Sequence, residues 1–281
     1  MKDLSIITVN TNNRKILEEC LDSVYKNTHK ICFEIIVADN GSGDGSQEMV
    51  KRRFPQVKLI ENRENLGFIK ASNQGLQIYS ARYAMLLNDD TLVKDAALDR
   101  LVEFMNQHPE AGACGAKLLN VDGRVQHQGG LLGKKFWLAK SPLTVDYVIG
   151  AALMVRKEVI DKVGIMDENL FFYNDDLDWC MSIRKAGWKI YFVPQAEIIH
   201  YGGYSSRRKF NRRLFVEGFK GGIYFCRKHY GEWAYHIYRI FLGLSLCLAL
   251  PFYIFKKDKF LALLDIINLA WRGQIPRPVV K

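Results

Sequence analysis

The 281-residue sequence is poor in the features that mark several protein classes. It has 7 Pro and 22 Gly, with no internal repeat and no low-complexity tract, which excludes collagen-like and Pro/Gly-rich disordered chains. Its 6 Cys, at positions 20, 32, 114, 180, 226 and 247, include no C-x-x-C pair. Zinc ribbons and dense disulfide frameworks are therefore excluded, and a reducing compartment is expected. The opening MKDLSIITVN has too short an apolar run for a secretory signal, because Asn10 to Arg14 close it with polar residues. It reads as a buried first strand in a cytoplasmic protein. The turn after it, Asn10-Thr11-Asn12-Asn13, lacks the G-x-G-x-x-G of a nicotinamide-binding unit.

Acidic residues are scarce in one region only. Residues 184–281 hold 18 Lys/Arg against 5 Asp/Glu, a balance of +13, whereas residues 1–183 hold 22 against 25, a balance of −3. The C-terminal third is expected to face something anionic: nucleic acid, phospholipid headgroups or a phosphorylated ligand. It also carries the longest apolar run, Ile240–Phe255. Nucleic-acid binders rarely need such a run, so a membrane surface is the favoured partner and nucleic acid is not expected. Those 16 residues span about 24 Å as a helix, short of the ~30 Å hydrocarbon core. Pro251 breaks the run, and Lys/Arg residues flank both sides. Peripheral attachment at the cytoplasmic face of the cell membrane follows as the expectation, with packing on the main domain as the alternative.

The first hundred residues alternate strand and helix signals. Leu4–Val9, Phe33–Ala38, Val57–Ile60 and Tyr83–Leu87 are short apolar runs of buried-strand type. Arg14–Asn27, a segment ending at Arg53, and Phe68–Tyr79 have helical character. Such a series implies an α/β fold with a mostly parallel sheet flanked by helices, and ligands beyond the carboxyl ends of the strands. That rule selects Thr8–Asn10, Asp39–Asn40 and Asn88–Asp90. Further on, Gly123–Lys140 reads as a loop, Val145–Val155 as a strand, and Lys157–Val163 as a short helix. The acid-and-aromatic segment from Phe171 opens a helix running to Ala186. Trp188–Val193 is expected to be a strand stopped by Pro194.

Several residue sets could carry chemistry, and each has a plainer reading beside it. Adjacent Asp89 and Asp90 at a strand end suit a hard divalent cation, Mg²⁺ or Mn²⁺, that shares substrate phosphates; they equally suit a capped turn. Asp175, Asp176 and Asp178 at a helix start either complement the helix dipole or include a carboxylate tuned to accept a proton. Asn65, Gly67 and Lys70 open a helix whose backbone donors could face a phosphate, or simply pack there. His200 is structural unless the fold brings it near Asp90.

The segments SIITVNTNN, EIIVADNGSGDGS, ENRENLGFIKASNQG, YAMLLNDDTLV, VIGAALMVRKEVIDKVGIMDENLFFYNDDLDWCMSIRKAGWKI and IIHYGG, in this order, resemble the inverting family 2 glycosyltransferases of the GT-A (Rossmann-like) fold. The similarity is greatest to the rhamnosyltransferase-like branch that builds bacterial surface polysaccharides, and it covers residues 4–203. Carried over by position, the resemblance implies that Thr8, Val9, Asn10 and Asp39 hold the base and ribose of a nucleotide-sugar. Asn65, Gly67 and Lys70 would lie beside the nucleotide or diphosphate. Asn88-Asp89-Asp90 occupies the D-x-D position, with Asp90 the metal ligand and His200 completing the metal or diphosphate site. Asp176 matches the catalytic base. Asp175 stands where the family has a first Glu or Asp, and Trp179 replaces a commoner Leu; both would face the acceptor, Trp179 by stacking on a sugar.

The resemblance thus implies metal-dependent transfer of a sugar, from dTDP-rhamnose in preference to a UDP-sugar, to a glycan or lipid-linked acceptor. The alternatives are a basic nucleic-acid-binding protein and a catalytically dead GT-A binding module. The expected organisation is a glycosyltransferase domain over residues 1–203 and a helical, basic and apolar extension over 204–281.

Overall fold

The computed structural model describes residues 2–128, 135–170, 174–202 and 210–273. Phe171, which opens the acid-and-aromatic segment, and Gly203, which ends the IIHYGG segment, lie outside the described residues. The chain divides into two compact units: Met1–Met166 with Trp179–Tyr204, and Asp167–Asp178 with Ser205–Lys281.

The first unit is built on one nine-stranded sheet in the order β3-β2-β1-β4-β8-β6-β9-β5, with β7 pairing β9. Its first half consists of β1 (Leu4–Asn10), β2 (Phe33–Asn40), β3 (Lys58–Asn62) and β4 (Tyr83–Leu87), all parallel. Buried residues run almost unbroken along β1 and β2, as expected of parallel strands covered on both faces. The crossovers are α1 (Arg14–Asn27), α2 (Ser46–Arg53) and α3 (Phe68–Ile78). Helix α1 buries Leu17, Cys20, Leu21 and Val24, a 3–4 spacing that puts one stripe on the sheet. Helix α3 lies close to β1 because Gly75 faces Ile7; a Cβ there would sit 2.6 Å from its Cγ2. The in-register pairing of Asn10 with Asp39 brings two polar side chains to the same carboxyl edge.

The second half mixes parallel and antiparallel pairings. β8 (Ala152–Arg156) is antiparallel to both β4 and β6 (Ala111–Leu119), while β9 (Lys189–His200) is parallel to β6. Among the described residues no α-helix separates β6 from β8, and an antiparallel neighbour needs no helical crossover. The anticipated strand Val145–Val155 is two strands, β7 (Leu143–Val145) and β8, separated by a turn that contains Gly150 and Ala151. The anticipated stop at Pro194 is also overturned. β9 passes through it by a bulge, its register on β6 shifting between Val193 and Glu197. A bulge lets proline into a strand without breaking the ladder on either side. The continued strand pairs with β5 (Thr91–Val93), setting His200 opposite Thr91.

Helix α4 (Ala97–Gln107) buries Ala97, Leu98, Leu101, Val102, Phe104 and Met105. The 3–4 recurrence of these residues is that of an amphipathic helix. Helix α5 (Lys157–Val163) follows β8 directly. Helix α6 (Asp175–Lys185) begins in the second unit and continues in the first, and Gly187 beyond it takes φ 93°.

The second unit is helical: α7 (Arg212–Ala249), a short 3₁₀ turn at Leu250–Tyr253, and α8 (Lys257–Arg272). Asn211 caps α7 through its Oδ1, which accepts from the Leu214 amide. At Gly231, φ 85° and ψ 179° interrupt the helix and kink it. The expected boundary at residue 203 places residues 167–178 with the sheet. They join the helical unit instead, because Asp178 binds Lys228 at 2.7 Å and His229 at 2.8 Å, while Asp167 binds Lys228 at 2.8 Å and Tyr224 at 2.7 Å.

Candidate active site

At the carboxyl edge of β1 and β2 the polar side chains form a closed set. Asn10 Nδ2 donates to Asp39 Oδ2 at 2.7 Å and to Ser42 Oγ at 3.0 Å. Asp39 Oδ1 accepts from the Ser42 amide and from Gln47 Nε2. Three of the four lone-pair positions of the Asp39 carboxylate are thus occupied, leaving one on Oδ2. Thr8 Oγ1 and Asn10 Oδ1 are buried and have no hydrogen-bond partner among the described residues. Buried polar atoms are normally paired, and these two orphans lie together at the carboxyl end of β1. Val9 between them is half-buried.

On the other side of β2, Asn40 Nδ2 donates to the Gly67 carbonyl and its Oδ1 accepts from Asn62. Gly67 takes φ 85°, which a side-chain-bearing residue rarely adopts. Its amide donates to Asn65 Oδ1, so the turn before α3 is held by its own side chains. Lys70 projects from the first turn of α3 and is exposed.

The D-x-D segment follows β4. The Asn88 amide donates to the Ala151 carbonyl, and Thr91 Oγ1 donates back to the Asn88 carbonyl. Asp89 is turned inward onto Asn13 Nδ2 at 3.0 Å, and burial pushes its carboxyl up to about 7, with the Asp90 charge adding to the effect and the Asn13 amide opposing it. Asp90, 4 % exposed, has His200 Nε2 3.2 Å from its Oδ1, and Asn88 Nδ2 lies 3.4 Å from the same ring nitrogen. The bulged extension of β9 thus brings His200 to Asp90, the condition on which its functional reading depends.

Gln126 orients the imidazole, a role that the sequence pattern does not reveal. Its Oε1 lies 2.8 Å from His200 Nδ1, while its Nε2 donates to Asn120 and to the His200 carbonyl. The network therefore assigns the ring proton to Nδ1. In the neutral ring Nε2 then turns a lone pair toward Asp90. Asp90 Oδ1 and His200 Nε2 then stand 3.2 Å apart, two donor atoms that could share one metal ion. The donor set fits Mg²⁺ or Mn²⁺. Among the described residues no three His, Cys, Asp or Glu side chains converge as a complete cage, and these cations keep waters and take substrate phosphate oxygens to fill their shells.

The second unit carries the other acids. Asn174, with φ 64°, starts the turn into α6, and its Nδ2 donates to the Gly218 carbonyl. Burial, followed by the charges of Asp176 and Asp178, pushes Asp175 well above the usual carboxylate range. Asp176 Oδ1 accepts from the Leu177 amide at 2.7 Å. Asp178 points inward to Lys228 and His229, a structural role that the cluster of three acids conceals in the sequence. Trp179 requires a correction. Its indole is 2 % exposed and its Nε1 donates to the Gly164 carbonyl at 3.0 Å, so no ring face is open to a sugar. One residue beyond Asp178, it lies on the inward face of α6, where its bulk fills the first unit.

The comparisons with known proteins bear on the family and the fold. The family model described as glycosyl transferase family 2 matches residues 5–164. The chain belongs to that family. It is 27 % identical over 266 residues to the N-acetylglucosaminyl-diphospho-decaprenol L-rhamnosyltransferase of Mycobacterium tuberculosis, covering 82 % of this chain and 86 % of that one. It is 26 % identical to the O-antigen biosynthesis protein RfbC of Myxococcus xanthus, covering 73 % of this chain and 18 % of the relative. Among solved structures, the mannosyltransferase PcManGT of Pyrobaculum calidifontis, in complex with GDP-Man and Mn²⁺, superposes with a TM-score of 0.62 at 14 % identity, covering 98 % of this chain and 90 % of that one. The fold is GT-A, and the chain is a glycosyltransferase.

Proposed function

We propose that this chain transfers a sugar, with rhamnose from dTDP-rhamnose favoured, to a hydroxyl of a lipid-linked glycan, with inversion at the anomeric carbon. The observation that carries the reading is the Asp90–His200 pair, oriented by Gln126 at the edge where the parallel strands end. The activity named for the mycobacterial relative supports rhamnose as the transferred sugar and a lipid-linked acceptor.

In this reading Asn10 and Asp39 hold the nucleoside, with Thr8 Oγ1 and Asn10 Oδ1 supplying polar atoms that have no partner among the described residues. Asn65, Gly67 and Lys70 flank the diphosphate, where Lys70 adds positive charge. Asp90 and His200 would hold Mg²⁺ or Mn²⁺, which neutralises negative charge on the departing diphosphate when bound. Asp176 accepts the proton of the acceptor hydroxyl as the hydroxyl oxygen bonds to the anomeric carbon and the bond to the diphosphate oxygen breaks. A single carboxylate base on the acceptor side gives a single displacement, and hence inversion.

The test is a panel of dTDP-, UDP- and GDP-sugars incubated with a polyprenyl-diphosphate-linked N-acetylglucosamine, scored by nucleoside diphosphate release and by the anomeric configuration of the product. Turnover restricted to a UDP- or GDP-sugar would overturn the donor assignment, and a retained anomeric configuration would overturn Asp176 as the sole base. Donor binding without turnover would favour the binding-module alternative.

A further inference from the structure

The second half of α7 presents an apolar face that no part of the described protein covers. Trp233, Ile237, Ile240, Phe241, Leu244 and Leu248 are all exposed, Trp233 at 85 % and Phe241 at 70 %. At 100° per residue they fall within an arc of about 100°, one continuous stripe. The stripe continues through the 3₁₀ turn and beyond, where Phe252 is 83 % and Phe255 100 % exposed. The opposite side of the same helix, through Tyr235, Leu242 and Leu246, is buried. There Gly243 admits Trp271 of α8, so close that a Cβ would lie 3.1 Å from the indole.

We infer that this stripe lies in the headgroup region of an anionic phospholipid bilayer, with the α7–α8 hairpin in the membrane plane and not crossing it. The stretch Arg212–Tyr253 is long and apolar enough to cross a membrane by length and composition, and only 17 % of its most apolar window is buried. A core helix is therefore excluded. Crossing is disfavoured on three grounds. The Gly231 kink leaves a straight segment of about 27 Å from Glu232 to Ala249. Only one face is apolar and free. Moreover, α8, packed along the other face, would carry Asp258, Lys259 and Asp265 into the hydrocarbon.

Charge complementarity selects the lipid. Between Glu232 and Lys256 the sequence has no Lys, Arg, Asp or Glu except Arg239. Arg239 turns away from the stripe, donating to the Ala270 and Trp271 carbonyls. Glu232, at its edge, is neutralised by Arg227. Where the stripe ends, Lys256, Lys257 and Lys259 are all exposed, a polybasic patch suited to anionic headgroups. Parallel face-to-face pairing of two copies would bring two such patches toward each other. All six cysteines are free thiols, which fits a leaflet facing a reducing compartment.

The inference is independent of the transfer chemistry and is tested on the full chain with vesicles. Cosedimentation with phosphatidylglycerol vesicles is expected to exceed that with phosphatidylcholine vesicles by at least tenfold at low salt, and carbonate is expected to strip the protein from native membranes. F241E/L248E/F255E should lower vesicle binding at least tenfold. K256Q/K257Q/K259Q should remove the preference for anionic lipid while leaving residual binding. Both variants should retain the circular dichroism and the soluble-donor binding of the parent, since every substituted residue is exposed. Vesicle binding unaffected by the Glu substitutions, retention after carbonate, or a dimer dissolved by those substitutions in a protein that ignores vesicles would each overturn it.

Discussion

The sheet-bearing unit and the helical unit distribute polarity in opposite senses. At the strand ends of the first, Asp39, Asp89 and Asp90 are buried and held by named donors or by His200. In the second, Trp233, Phe241 and Leu248 of α7 stand in solvent while Asp167 and Asp178 are held inward by Lys228 and His229. Buried carboxylates without full compensation are costly, so their persistence at one edge points to a ligand that completes them. Exposed apolar stripes are costly in a different way, and they point to a surface that covers them. Both units therefore indicate what they bind through what they leave incomplete.

The sharpest test of this comparison is Asp176. Asp176→Asn should reduce kcat by at least about 10²-fold while the dissociation constant for the nucleotide-sugar stays near the parent value, because the amide is nearly isosteric and removes only the base. Equilibrium donor titration beside steady-state turnover separates the two. An equal loss in binding and turnover would return Asp176 to the donor site.

Gln126 gives the next largest effect. Its Oε1 is the 2.8 Å partner of His200 Nδ1, and outer-shell partners of metal-ligating histidines are worth about 10–100-fold in metal affinity. In Gln126→Ala, Mn²⁺ titrated against donor binding should show a weakened midpoint, and activity should recover at high Mn²⁺. Activity at the parental level throughout, including in chelator, would remove the metal from this site and leave Lys70 as countercharge.

The helical unit is probed by Lys228. Lys228→Met removes the cation that both Asp167 and Asp178 bind, and breaking a buried ion pair costs about 3–5 kcal/mol. Because Lys228 is partly exposed, the lower end of that range is expected in chemical denaturation. The same network has a pH signature. Burial opposes ionisation of Asp167, but hydrogen bonds from Lys228 and Tyr224 outweigh it and hold the carboxyl at about 2. Its contribution is fully present above the ordinary carboxylate value and is lost as pH falls toward 2. Acid titration of the parent should therefore show a decline in stability between about pH 4 and 2, with a smaller decline in the variant.

Legibility in the sequence follows the same division. The parallel half of the sheet is readable almost to the residue, since α1 and β4 begin and end where periodicity and turn residues put them. The ends of those strands by themselves pick out Asn10, Asp39 and Asp90. Beyond β5 the reading fails where a local rule meets a tertiary exception. Pro194 signals a stop, yet a bulge carries β9 past it to deliver His200. Gln126, Asn13 and Gln47 act through contacts 74, 76 and 8 residues away in sequence, and no local pattern encodes a partner chosen by folding. In α7 the apolar period is plain, but a period cannot tell a protein core from a lipid surface.

The smallest expected effect concerns Trp179, whose reading as an acceptor platform the structure reverses. If the indole is a packing element, Trp179→Phe removes one hydrogen bond, from Nε1 to the Gly164 carbonyl, and part of a ring that is otherwise retained. The net worth of one such bond is about 1 kcal/mol, so the denaturation midpoint should fall modestly. Acceptor KM should stay within about twofold of the parent, because a side chain 2 % exposed has no face to lend to a sugar. A sugar platform predicts the reverse pattern: a raised acceptor KM with stability untouched, since Phe and Trp stack with unequal strength on a pyranose. Measuring both quantities on one variant discriminates the two roles, and a large KM effect would mean that α6 turns Trp179 outward when acceptor binds.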